Sequence, residues 1–68
     1  MAVSKISEIK AGSPKSFEDA IMVGIARAHK TLKHITGAWI ENQEVTINED
    51  GSIAEYRVEM KVTFILED

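Results

Sequence analysis

The sequence predicts an α+β fold, a β-α-β-β unit in which a three-stranded antiparallel sheet folds against one helix. Two features of the hydrophobic pattern and one turn predict it. Apolar residues recur at three- and four-residue spacing from Phe17 to Ile35, and from Trp39 the period changes to two. Between the last two strands stands Asn48-Glu49-Asp50-Gly51, whose Asp-Gly pair is a strong short hairpin signal. The 68 residues make a single domain, residues 1–68.

The first strand is expected over residues 3–10. Val3, Ile6 and Ile9 are its apolar points, and the parity break between Ile6 and Ile9 predicts an edge strand or a bulged one. Ala11-Gly12-Ser13-Pro14 then punctuates the chain. Ser16 is a suitable N-cap, followed by Glu18 and Asp19 in the first turn, where the helix dipole favours negative charge. Phe17, Ile21, Gly24, Ile25, Ala28, Leu32 and Ile35 form one apolar stripe. Lys30, Lys33 and His34 fall in the expected last turns, and Gly37 fits the C′ position of a helix of roughly nineteen residues.

From Trp39 the period is two. Ala38 and Ile40 share a face, whereas Val45 and Ile47 have the opposite parity, so a bulge is expected within residues 41–44. The final strand alternates without a break. Tyr56, Val58, Met60, Val62 and Phe64 point toward the helix, and Arg57, Glu59, Lys61, Thr63 and Ile65 point away.

Size and charge then bound the function. A core of this size is marginal, and small folds add disulfides, a metal or self-association. The chain has no cysteine, so association is the expected staple. A helix of about nineteen residues is roughly 28 Å long, and a strand from Ile53 to Leu66 roughly 45 Å. One helix cannot cover such strands, so a closed homo-oligomer is predicted. The net charge of −3 is uneven: residues 1–40 hold six of the eight Lys/Arg, residues 41–68 eight of the eleven Asp/Glu. Charges of this kind are most often solvated faces, though neighbouring subunits can also use them as complementary patches. Basic residues are few and not interleaved with aromatics, which argues against nucleic acid. No segment has the apolar run of a signal peptide or membrane span, so no membrane association and a cytoplasmic location are expected.

No catalytic constellation is visible, and the chain is expected not to be an enzyme. There is no Gly-rich phosphate loop, and His29 and His34 are five apart, which does not place them on one helical face. The Asn48–Gly51 turn is acidic but lacks the ligand register of a calcium loop. Trp39 is the exception. Its parity is opposite to that of Ala38 and Ile40, so it faces away from the helix, as an interface residue or a stacking platform for a planar ring. Arg57 shares that face, and an arginine there can grip a phosphate, a carbonyl or a neighbouring acid.

The segments Ser16–Ile21 and Gly24–Ile35, the strand that carries Trp39, and Glu55–Asp68 with its run YRVEMKVTF together resemble the dodecin family. The resemblance covers nearly the whole chain. It implies a sheet wrapped around the helix, a hollow homododecamer, and flavin (FMN or riboflavin) held between tryptophans of subunits related by a two-fold axis. It also implies flavin storage and buffering in place of catalysis. Trp39 would be the flavin platform, Arg57 a contact to the ring edge or phosphate, and Glu41 and Gln43 the pocket lining. Trp39 lies two positions later than in well-known flavin-binding members, which keeps its face and moves the ring by roughly 7 Å along the strand. Arg57 stands where those members often carry glutamine. A dodecin-like shell binding calcium or another small ligand, or a purely structural assembly, is the alternative expectation.

Overall fold

The computed structural model describes residues 3–66. Strand β1 spans Ser4–Ser13, helix α1 Phe17–His29, strand β2 Ile35–Ile47 and strand β3 Ile53–Ile65. The strands form one antiparallel sheet in the order β1-β3-β2. The expected β-α-β-β unit is the one observed. β3 has the cleanest alternation because it is paired on both sides and covered on one face. Its Val58, Met60 and Val62 are buried under α1, while Arg57, between Tyr56 and Val58, is exposed.

β1 is an edge strand, as expected, but it carries no bulge. Its register runs unshifted from Ser4 opposite Ile65 to Ser13 opposite Tyr56. Ile9 opposes Met60 on the helix side, and Ile6 opposes Thr63 on the outer side, left half-exposed. The parity break is therefore an apolar residue on the wet face. The strand also continues through Ala11-Gly12-Ser13, where a break was expected. Ala11 and Ser13 are small residues beneath the helix, and Gly12 lies on the outer face, where a Cβ would come within 2.7 Å of the Glu55 carboxylate.

Ser16 caps α1, its Oγ accepting the Asp19 N–H at 2.9 Å. The Asp19 carboxylate accepts the Ser13 hydroxyl at 2.6 Å, and Ser13 Oγ accepts the Lys15 N–H at 3.0 Å. The buried end of β1 is thereby tied to the first helical turn, and among the described residues no buried side-chain polar atom is left unpaired.

The helix ends earlier than the apolar stripe predicts. Lys30 is the C-cap, and the N–H groups of Thr31 and Leu32 both reach the Ala28 carbonyl, at 3.1 and 2.8 Å. Ile35 is already paired with Phe64 in the sheet, and His34, with φ 60°, makes the left-handed turn between them. Gly37 is thus a β2 residue, not a helix terminus, and Lys33 and His34 lie beyond α1; His29 occupies the last turn. Leu32 and Ile35 continue the stripe because they still pack on the core, although from outside the helix.

Ala20, Val58, Met60 and Val62 form the centre of that core, with Ile9, Phe17, Ile21, Ile25 and Ile40 around it. Phe17 meets Tyr56 edge-on, with ring centroids 5.1 Å apart. The hairpin turns at Gly51, φ 90°, with Asp50 accepting both the N–H and the hydroxyl of Ser52. Among the described residues no helix is long and apolar enough to cross a membrane.

The molecule measures 53 × 19 × 13 Å. Its thirteen-residue helix covers about 20 Å and lies against β1 and β3. Among the described residues nothing covers the strand ends or the outer face of the sheet, and Ile47, Ile53, Leu66 and Val3 are exposed.

Candidate functional site

Trp39 lies on the outer face of β2, opposite Lys61, which in turn opposes Glu8 of β1. These three residues form one row across the sheet. The Lys61 ammonium sits 5.9 Å from the Trp39 ring centroid, within cation–π range, and 3.3 Å from Glu41 Oε1. Trp39 is 46% exposed.

β2 shifts register between Ile40 and Asn42, inside the window expected for a bulge. Glu41 is the extra residue, and its side chain swings over Lys61 toward Glu8 on the far edge strand. The hydrogen bond between the Glu8 and Glu41 carboxyls pushes the Glu8 pKa above the ordinary glutamate value, with the negative charge of Glu41 and then Glu59 adding to it. Lys61 acts the other way. In the adjoining row Asn42 donates to Glu59 Oε1 at 2.9 Å, and Lys10 opposes Glu59 from β1.

The bulge separates two of the residues that sequence parity had grouped. Glu41 stays beside Trp39. Gln43 opposes Val58 and is turned to the helix side of the sheet, so the single inserted residue corrects its expected place in a common pocket lining. Arg57 is on the same face as Trp39, but four residues along β3 from Lys61, about 13 Å away. Its Nε donates to Glu55 Oε1 at 2.6 Å, and this bond, reinforced by the charges of Glu55 and Glu44, raises the pKa of the guanidinium.

Glu8, Lys61, Asn42 and Glu59 are the neighbours that sequence reasoning did not single out. Lys61 and Glu59 were legible as outward residues of β3, but their row partners depend on register, which no local pattern supplies. Among the described residues, no group of three or more His, Asp or Glu is arranged to hold a metal ion. Two surface clefts lie elsewhere: one of about 430 Å³ runs between α1 and β1 beside Val23 and Arg27, and one of about 280 Å³ surrounds Arg57. Trp39 is an open platform, and one subunit alone does not enclose a ligand on it.

Residues 3–67 match the sequence model of the dodecin family. The chain belongs to that family. It is 41% identical over 68 residues to a dodecin of Thermus thermophilus, covering 97% of this chain and 94% of the relative. The crystal structure of an arginine-to-alanine variant of T. thermophilus dodecin is similar across 100% of both chains, with a TM-score of 0.93 at 37% identity. The calcium dodecin of Mycobacterium tuberculosis, described as a calcium-chelating antigen with a novel calcium-binding site, matches with a TM-score of 0.83 at 29% identity. That comparison covers 96% of this chain and 91% of the mycobacterial one. The dodecin fold therefore includes a relative described as calcium-chelating.

Proposed function

We propose that this dodecin-family chain assembles into a homododecamer and binds flavin, as riboflavin or FMN, by stacking the isoalloxazine ring on Trp39. Its role is to store and buffer flavin, with no catalytic step, in the cytoplasm. The observation that carries the reading is the placement of Trp39: a half-exposed indole on the open outer face of the sheet, with the Lys61 ammonium 5.9 Å from its ring centroid.

Covering the exposed half of such a ring is worth about 2–3 kcal/mol from area alone. A second copy related by a two-fold axis would bring its own Trp39 opposite the first and enclose planar ligands between them. Offset stacking then adds about 0.5–1.5 kcal/mol per ring contact. The carboxylates Glu8, Glu41 and Glu59 together with the calcium dodecin relative raise the alternative of a metal shell. The Lys61 ammonium among them disfavours a cation at that place.

Titration of flavin-free protein with riboflavin and with FMN, followed by flavin fluorescence, tests the proposal. Binding should quench the flavin strongly, because an indole in contact with the excited ring donates an electron. Trp39→Ala should abolish the quench and weaken binding by at least the stacking contribution, about 0.5–1.5 kcal/mol, while light scattering shows the same assembly mass. Loss of the assembly with flavin affinity retained would make Trp39 an interface residue.

A further inference from the structure

We infer that the charges surrounding Trp39 make this face select planar ligands that lack a phosphate, so that riboflavin is preferred over FMN. The inference rests on the flavin reading above and adds the substrate class.

The outer face carries Glu8, Glu41, Glu44, Glu55 and Glu59 against Lys10, Arg57 and Lys61, a surplus of two negative charges per subunit (five minus three). Two of the three cations are already engaged. Lys61 is 3.3 Å from Glu41, and Arg57 is 2.6 Å from Glu55 with Glu44 also facing it. Lys10 opposes Glu59 and shares its cleft with Glu44 and Glu55. Arg57, the residue expected to take a flavin phosphate, would have to leave Glu55 to do so. The other anion-binding device of the fold, the N-terminus of α1, is capped by Ser16 and lies on the opposite side of the sheet.

A phosphate monoester brings between one and two negative charges at neutral pH. Each pair of like unit charges about 10 Å apart in water lowers an association constant about twofold. A two-fold pair of subunits doubles the surplus facing each ligand. The ring itself is uncharged and is insensitive to this field. Discrimination therefore comes from Glu8, Glu41 and Glu59, which lie within one row of Trp39, and it is screened by salt.

The test is a parallel titration of the assembled protein with riboflavin and FMN, in 10 mM and in 500 mM salt. Riboflavin should bind about tenfold more tightly than FMN at low salt, and the ratio should shrink to about twofold or less at high salt. The double variant Glu8→Gln with Glu59→Gln, both at the sheet surface, should narrow the low-salt ratio about fivefold by favouring FMN. Equal affinities at low salt, or a preference for FMN, would overturn this inference and leave flavin binding intact. A wild-type ratio that does not respond to salt would do the same. Failure of both flavins to bind would remove both readings.

Discussion

Glu8 and Asp50 show how two exposed carboxyls of one small protein are driven in opposite directions. Glu8 meets a second carboxyl, Glu41, so the neutral form is favoured and its pKa rises. Asp50 accepts two hydrogen bonds from Ser52, so the ionised form is favoured and its pKa falls. The consequences for stability have opposite sign. The raised Glu8 favours the folded state at low pH, and that contribution is lost as pH rises from the ordinary glutamate value through the folded one. The lowered Asp50 contributes above the ordinary aspartate value, and its share is lost as pH falls through the folded one. Carboxyl-carbon NMR titration should place Glu8 above and Asp50 below the ordinary range. Glu41→Gln should bring Glu8 back down by removing the charge that opposes it. A Glu8 curve unmoved by that change would mean the two carboxyls do not meet in solution.

At the scale of the elements, the contact between α1 and the sheet is decided at Gly24. A Cβ there would lie 2.5 Å from Met60 Cε and 2.9 Å from Ala11 Cβ. The methionine end can move, but the alanine Cβ is fixed to the β1 backbone. Gly24→Ala gains about 1 kcal/mol of helix propensity and meets overpacking of about 1–3 kcal/mol. The balance is a net loss, and the urea midpoint should fall with the slope unchanged. A rise in the midpoint would show that helix and sheet separate freely at this point. Gly24 was legible only as a member of the apolar stripe. Periodicity located the stripe, the Ser16 cap, the hairpin and the faces of β3, because each is written in local spacing. It did not locate the end of α1, since Leu32 and Ile35 keep helical spacing while serving the core from a turn and a strand. Nor could it assemble the site. Parity placed Trp39 and Arg57 on one face correctly, but it needed the position of the bulge to separate Gln43 from Glu41. Only the cross-strand register brings Glu8 and Lys61 to the tryptophan.

As a whole molecule, a single subunit is poorly compact. Its radius of gyration is 14.1 Å, whereas a globular chain of this length would have about 11 Å. Both β1 and β2 are edge strands, and Met22 and Val23 on the helix are exposed, Val23 at the groove between α1 and β1. Association is the physical remedy for edges and apolar surface of this extent, so folding and assembly should be linked. Val58 provides the test, because it is 2% exposed and on the helix side of the central strand. Val58→Asp places an unpaired carboxylate in the core, at a cost of several kcal/mol, comparable with the whole stability of a domain this small. Wild-type protein should give the mass of twelve subunits by light scattering and retain it on dilution. The variant should lose the assembly and its far-UV circular dichroism together. A Val58→Asp protein that remained folded as a soluble monomer would show that the subunit stands alone and that its thin shape needs no partners.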